Sequence, residues 1–128
     1  MIRRPWPWAA AFLIWCAVLW HLSSQVPRFP EALRFTTSDK ILHFGWFFGG
    51  ASLFQAWLWT AGRPASARHR ALLTLVTLGI IGALDEFHQS FVPGRHGNDP
   101  FDFAADILGT LAAISVLPPI ARKLLKTQ

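Results

Sequence analysis

LDEFHQSFVPGRHGNDPFDFAAD, residues 84–106, is the stretch on which the fold of this chain turns. It holds Asp85, Glu86, Asp99, Asp102 and Asp106, five of only seven acids in 128 residues, and it lies between two apolar runs. The upstream run opens at Ala71 and supplies 14 residues before Asp85, too few to cross a hydrocarbon layer ~30 Å thick. Carried on through Glu86, Phe87, His88, Gln89 and Ser90 to Val92 it reaches 22 residues, which is enough, and Pro93 and Gly94 then stop it. Reading DEFHQ as the last turns of a membrane helix therefore makes residues 71–92 a span and places acids at its end. Downstream, residues 103–117 form a further apolar segment closed by Pro118 and Pro119. Its Gly109, Ala104, Ala105, Ala112 and Ala113 suit close packing against other helices.

Composition agrees. The chain is 52% hydrophobic and 15% charged, against roughly 25% charged in soluble proteins. Its single cysteine, Cys16, lies in an apolar run, which rules out a disulfide framework and a cysteine-based metal site. The net charge of +5 comes from short basic groups between apolar runs, not from one continuous face, so no nucleic-acid partner is expected.

Working outward, residues 41–61 form the clearest span, with His43 and Gln55 its only strongly polar residues. Gly45 and Gly49, continued by Gly50 and Ala51, make a GxxxG pattern that allows another helix backbone to come close. Residues 6–22 follow Arg3 and Arg4, enter through Pro5 and Pro7, and lack a small-x-small cleavage pattern near Ser23, so they read as a retained helix. A loop with Pro27, Pro30, Thr36 and Thr37 precedes the second helix, for which Ser38 or Asp39 is the candidate cap. A basic loop with Arg63, Arg68, His69 and Arg70 precedes the third. The fold class is all-α: one polytopic membrane domain of four transmembrane helices at about 6–22, 41–61, 71–92 and 103–117.

Lys and Arg favour the cytoplasmic side of a membrane. Under this topology eight of the twelve basic residues, Arg3, Arg4, Arg63, Arg68, Arg70, Arg122, Lys123 and Lys126, fall on one side. Both termini are thus expected in the cytoplasm, with Trp6, Trp8, Trp57 and Trp59 as an inner interfacial belt. Asp39, Lys40 and His43 then open the second helix on the outer side, Asp85 to Gln89 close the third there, and Asp102 and Asp106 open the fourth. Residues four apart share a helix face, so Asp39 with His43, Asp85 with Gln89 and Asp102 with Asp106 should converge. Asp39 and His43 are expected beside Asp85 and Glu86.

Taken together, DKxxH at residues 39–43, DExHQxFVPGR at residues 85–95 and DxxxDxxG at residues 102–109 resemble the signature of the VanZ-like membrane proteins. The resemblance covers about residues 23–117. It implies a small multi-helix protein of the bacterial cell membrane, and the family's namesake is associated with resistance to the glycopeptide teicoplanin. No mechanism or cofactor comes with it.

The residues leave several chemistries open. In an enzyme acting on an envelope lipid or cell-wall precursor, Asp85, Glu86, His43 and Asp39 are the candidate catalytic groups, since a positioned carboxyl or imidazole can move a proton. Lys40, Gln89, Arg95, Asp102 and Asp106 are the candidate ligand-binding groups, Arg95 and Lys40 suiting a phosphate or carboxylate. A metal site would draw on His43 and His88 with Asp39, Asp85, Glu86 or Asp106, donors that suit zinc, although HxxxH and HExxH spacings are absent. A protein that binds or shields without chemistry would use Phe44, Trp46, Phe47 and Phe48 as an apolar wall. In a purely structural network, Lys40 and Arg95 would neutralise the acids and tie the helices together.

Overall fold

The computed structural model describes residues 4–26, 28, 38–62 and 66–126, with side chains to residue 118. These residues form four helices: α1 (Trp6–Ser23), α2 (Ser38–Thr60), α3 (Ala67–Gln89) and α4 (Pro100–Lys126). No strand occurs among the described residues. Three helices, Trp6–Ser23, Ala67–Gln89 and Pro100–Pro118, are long and apolar enough to cross a membrane.

The expected fourth span, at residues 41–61, is not among them. At 23 residues α2 has the length, but its apolar character is diluted by Gly45, Gly49, Gly50, His43 and Gln55. Its surroundings explain this, because α2 packs on all three other helices. Phe12 of α1 meets Phe54 and Trp57 of α2, Trp15 meets Trp46 and Phe47, Gln55 meets Thr74 of α3, and His43 meets Asp106 of α4. A helix whose neighbours are other helices is not required to present an apolar face all round.

These pairings fix the directions. The start of α1 lies at the end of α2, the end of α2 lies at the start of α3, and α4 runs alongside α2 in the same sense, with Lys40 beside Asp102 and His43 beside Asp106. The order is up, down, up, down. The end of α1, the start of α2, the end of α3 and the start of α4 therefore share one end of the bundle.

Polarity is distributed inside-out. Among the largest fully buried side chains, Gln89, Thr74, Thr110 and Asp106 are polar and only Phe47 and Leu78 are apolar. Leu13, Ile14, Leu72, Ile80, Leu84 and Leu108 are exposed by more than half. An apolar exterior of this extent needs an apolar medium. Phe87 and Phe91, which meet edge to face with ring centroids 5.0 Å apart, belong to the same outer surface.

Several boundaries differ from the expected ones. Helix α3 begins at Ala67 because Ser66 is extended and its carbonyl accepts from the Arg70 amide at 3.1 Å, so Arg68, His69 and Arg70 are helical. It ends at Gln89, not Val92, because the Phe91 and Val92 amides bond three residues back, to His88 and Gln89, in tight turns. Helix α4 runs through Pro118 and Pro119 to Lys126, since the fixed φ of proline is itself helical and each ring costs one amide donor. Ser38 and Asp39, the candidate caps, are themselves helical residues of α2. Thr37, with Pro27, Pro30, Thr36, Arg3, Arg34 and Arg63, lies outside the described residues.

The close helix approaches are made by Gly50 and Gly109, two of the small residues expected to pack, and not by Gly45 and Gly49. A Cβ at Gly45 or Gly49 would meet nothing within 4 Å, whereas one at Gly50 would enter the Trp15 ring. One at Gly109 would collide with the backbone of α2 at Phe44 and Phe48. Periodicity identifies a stripe of small residues but not the direction it faces. Gly45→Ala and Gly49→Ala should accordingly leave stability unchanged or raise it by up to about 1 kcal/mol through helix propensity. Unfolding in micelles, compared with wild type, checks this, and a loss above that size would show that the face is occupied.

Candidate functional site

The shared end of the bundle collects the acids. From α2, His43 projects one turn beyond Asp39 into the gap between α3 and α4, and its Nδ1 lies 2.9 Å from Asp106 Oδ1. Asp106 is fully buried against Gly82 of α3, where a Cβ would stand 2.9 Å from Asp106 Oδ2. Glycine at position 82 is thus what lets a carboxylate sit between α3 and α4. The other ring nitrogen, Nε2, is 4.0 Å from both Glu86 Oε1 and Asp102 Oδ2.

Lys40 supplies the charge on the α4 side. Its Nζ donates to Asp102 Oδ1 at 2.6 Å and to Asp99 Oδ2 at 3.1 Å. Asp99 precedes α4, and the Phe101 amide, assisted by Lys40, holds its carboxyl below the ordinary value. On the α3 side, Asp85 accepts from the Ser23 hydroxyl of α1 and from Gln89 Nε2 at 2.7 Å. Arg95 donates to Gln89 Oε1 and, at 3.0 Å, to the Gln25 carbonyl.

The connection between α3 and α4 folds back over the end of α3. The Asn98 amide donates to the Glu86 carbonyl at 3.2 Å, and the Asp99 amide to Glu86 Oε2 at 2.9 Å. Asn98 reaches this geometry with φ 59°, a left-handed conformation that asparagine tolerates better than most residues. Gly97 is packed so tightly on the backbone of Gln89 and Ser90 that no side chain fits. Glu86 Oε1 and Asp106 Oδ2 are buried with no hydrogen-bond partner among the described residues.

A cavity of about 870 Å³ opens beside these groups, between α1, α2 and α3. Leu19, Leu22, Leu42 and Trp46 form its apolar wall, and Ser23, His43, Asp85, Gln89 and Arg95 its polar one, with Asp39 and Arg28 also lining it.

The structure brings Asp39, Lys40, His43, Asp85, Glu86, Gln89, Arg95, Asp102 and Asp106 to one end, and one donor atom each of His43, Asp85 and Glu86 lies within 4.8 Å of the other two. His88 stands apart: its ring stacks on Trp20 at 3.8 Å between centroids, on the α1 side of α3. It directly precedes Gln89, and adjacent residues on a helix do not share a face. Of the proposed aromatic wall, Trp46 and Phe47 line the cavity, while Phe44 is exposed and Phe48 packs against the core.

Ser23, Gln25, Arg28 and Asp99 were not picked out from sequence. Ser23 continues the face of α1 that buries Trp15 and Leu19, so the three- and four-residue spacing would have pointed to it. Asp99 carried the signal of an acid immediately before a proline that opens a helix. Comparison with protein-family models, with curated proteins and with solved structures gives no match.

Proposed function

We propose that this chain is a VanZ-like, multi-pass protein of the bacterial cell membrane in which α2 also crosses and both termini are cytoplasmic. Its cavity receives the polar head of a membrane-borne amphiphile, an envelope lipid or a cell-wall precursor. The observation that carries this reading is the two-sided cavity, with Leu19, Leu22, Leu42 and Trp46 on one wall and Arg95, Gln89, Asp85 and His43 on the other. An acyl chain suits the first wall and an anionic head group the second. A guanidinium has five donors, and Arg95 directs single bonds to Gln89 and Gln25, which leaves capacity for a phosphate or carboxylate.

His43 held by Asp106, with Glu86 4.0 Å away and Asp85 on the cavity wall, supplies the acid–base groups that would act on a bound head group. A second reading, a binding or shielding protein whose polar cluster is structural, is favoured by the hydrogen bonding of Asp85, Asp99 and Asp102 to neighbouring side chains.

Protein purified in mild detergent and mixed with a labelled lipid-linked precursor should retain it, and Arg95→Ala should weaken retention about tenfold or more, the value of a hydrogen bond to a charged group. Equal retention by wild type and variant would remove the head-group reading. Conversion of the label separates catalysis from binding, and full conversion by folded Glu86→Gln would exclude Glu86 as its acid or base.

A further inference from the structure

We infer that His43, Asp85 and Glu86 form a binding site for one divalent cation of the zinc class, at the buried side of the cavity. Each contributes one donor atom, the three atoms lie within 4.8 Å of one another, and all three residues are less than one-tenth exposed.

Two further observations point to an ion. The first is Glu86 Oε1. Glu86 is 4% exposed, its Oε2 accepts from the Asp99 amide, and Oε1 has no hydrogen-bond partner among the described residues. It faces His43 Nε2 at 4.0 Å, too far for a hydrogen bond. Donors on a tetrahedral zinc, at 2.0–2.2 Å from the metal, lie ~3.4 Å apart, so closure by about half an ångström would seat an ion between these two atoms. The second is the hydrogen bond from His43 Nδ1 to Asp106 Oδ1, 2.9 Å. A carboxylate on one ring nitrogen fixes the tautomer and directs the lone pair of the other toward a metal, the arrangement found behind most histidine ligands.

Charge selects among the alternatives. Asp39, His43 and Asp102 also bring donor atoms within 4.8 Å, but the Lys40 ammonium already sits 2.6 Å from Asp102 Oδ1 and repels a second cation there. On the α3 side, Asp85 and Glu86 are bonded to Ser23, Gln89 and the Asp99 amide, all neutral, and the Arg95 guanidinium is directed to Gln89 and the Gln25 carbonyl, not to either carboxylate. His43 and Asp85 line the cavity, which gives the ion its path. One imidazole with two carboxylates and no thiolate suits zinc and its neighbours better than magnesium or calcium, which prefer all-oxygen shells. The assignment stands independently of any lipid in the cavity.

The test uses the full chain in detergent, stripped with a chelator, dialysed and titrated with zinc sulfate, with bound zinc measured by mass spectrometry and calorimetry. One zinc per chain is expected. Glu86→Gln and Asp85→Asn should each lower affinity by more than the about 10- to 100-fold typical of outer-shell changes, while His88→Ala should bind as wild type. Absence of zinc from the titrated wild type, or equal affinity in folded Glu86→Gln, overturns the site. Should either carboxylate variant fail to fold, X-ray absorption of the zinc-loaded wild type decides: a nitrogen with oxygens at about 2.0–2.2 Å supports it, and a shell of water oxygens alone overturns it.

Discussion

Asp106→Ala is expected to be the most destabilising single change at the polar end, by about 3–5 kcal/mol, the range for removing one partner of a buried charged pair. Asp106 has no exposed surface, and His43, which it holds at 2.9 Å, is itself buried. Removing the carboxylate leaves the imidazole facing Glu86 and Asp102 at 4.0 Å without its hydrogen-bond acceptor. The space left against Gly82 adds to the cost. Asp106→Asn keeps the shape and one acceptor oxygen and should cost less, about 1.5–3 kcal/mol for a charge-assisted hydrogen bond. Unfolding of the detergent-solubilised protein, followed by circular dichroism, measures both, and a loss below about 1 kcal/mol for Asp106→Ala would mean that the pair is not what stabilises this end.

Gly109→Ala should cost about 3 kcal/mol, the upper part of the range for overpacking. The added methyl would meet the Phe44 carbonyl and the Phe48 amide of α2, which are backbone atoms and cannot rotate away. Gly50→Ala would meet the Trp15 ring, a side chain that can shift, and so ranks below it. The same unfolding experiment checks the order, and a Gly109→Ala protein as stable as Gly45→Ala would show that α4 and α2 are not in backbone contact.

Four helices and their joint polar end were legible in the sequence because acids are so scarce in this chain that their spacing alone marks the helix ends. His43, Asp85 and Glu86 meet as topology required, and that inference needed only the alternation of direction. Helix rotation was not legible. With apolar residues on most sides, nothing in the period says that Gly50 and not Gly45 or Gly49 faces a neighbour, or that His88 turns to Trp20. The central position of α2 left its trace in composition, in the glycines, His43 and Gln55 that dilute its apolar character, but which helices cover it did not. Asp99 escaped because its role depends on the chain folding back through Asn98.

The contacts between α2 and α4 share nearly one offset. Lys40 and Asp102 are 62 residues apart and His43 and Asp106 are 63 apart, and Gly109 rests between Phe44 and Phe48 further along the same two parallel helices. Polar pairs and backbone contact therefore act as teeth on a single rack. Slippage by one turn, ~5.4 Å, would unmesh all of them at once, replacing Gly109 by a bulkier neighbour while drawing Asp106 from His43. The two helices are keyed to one register, and any force that displaces the acids at the polar end is transmitted as an axial thrust along both helices.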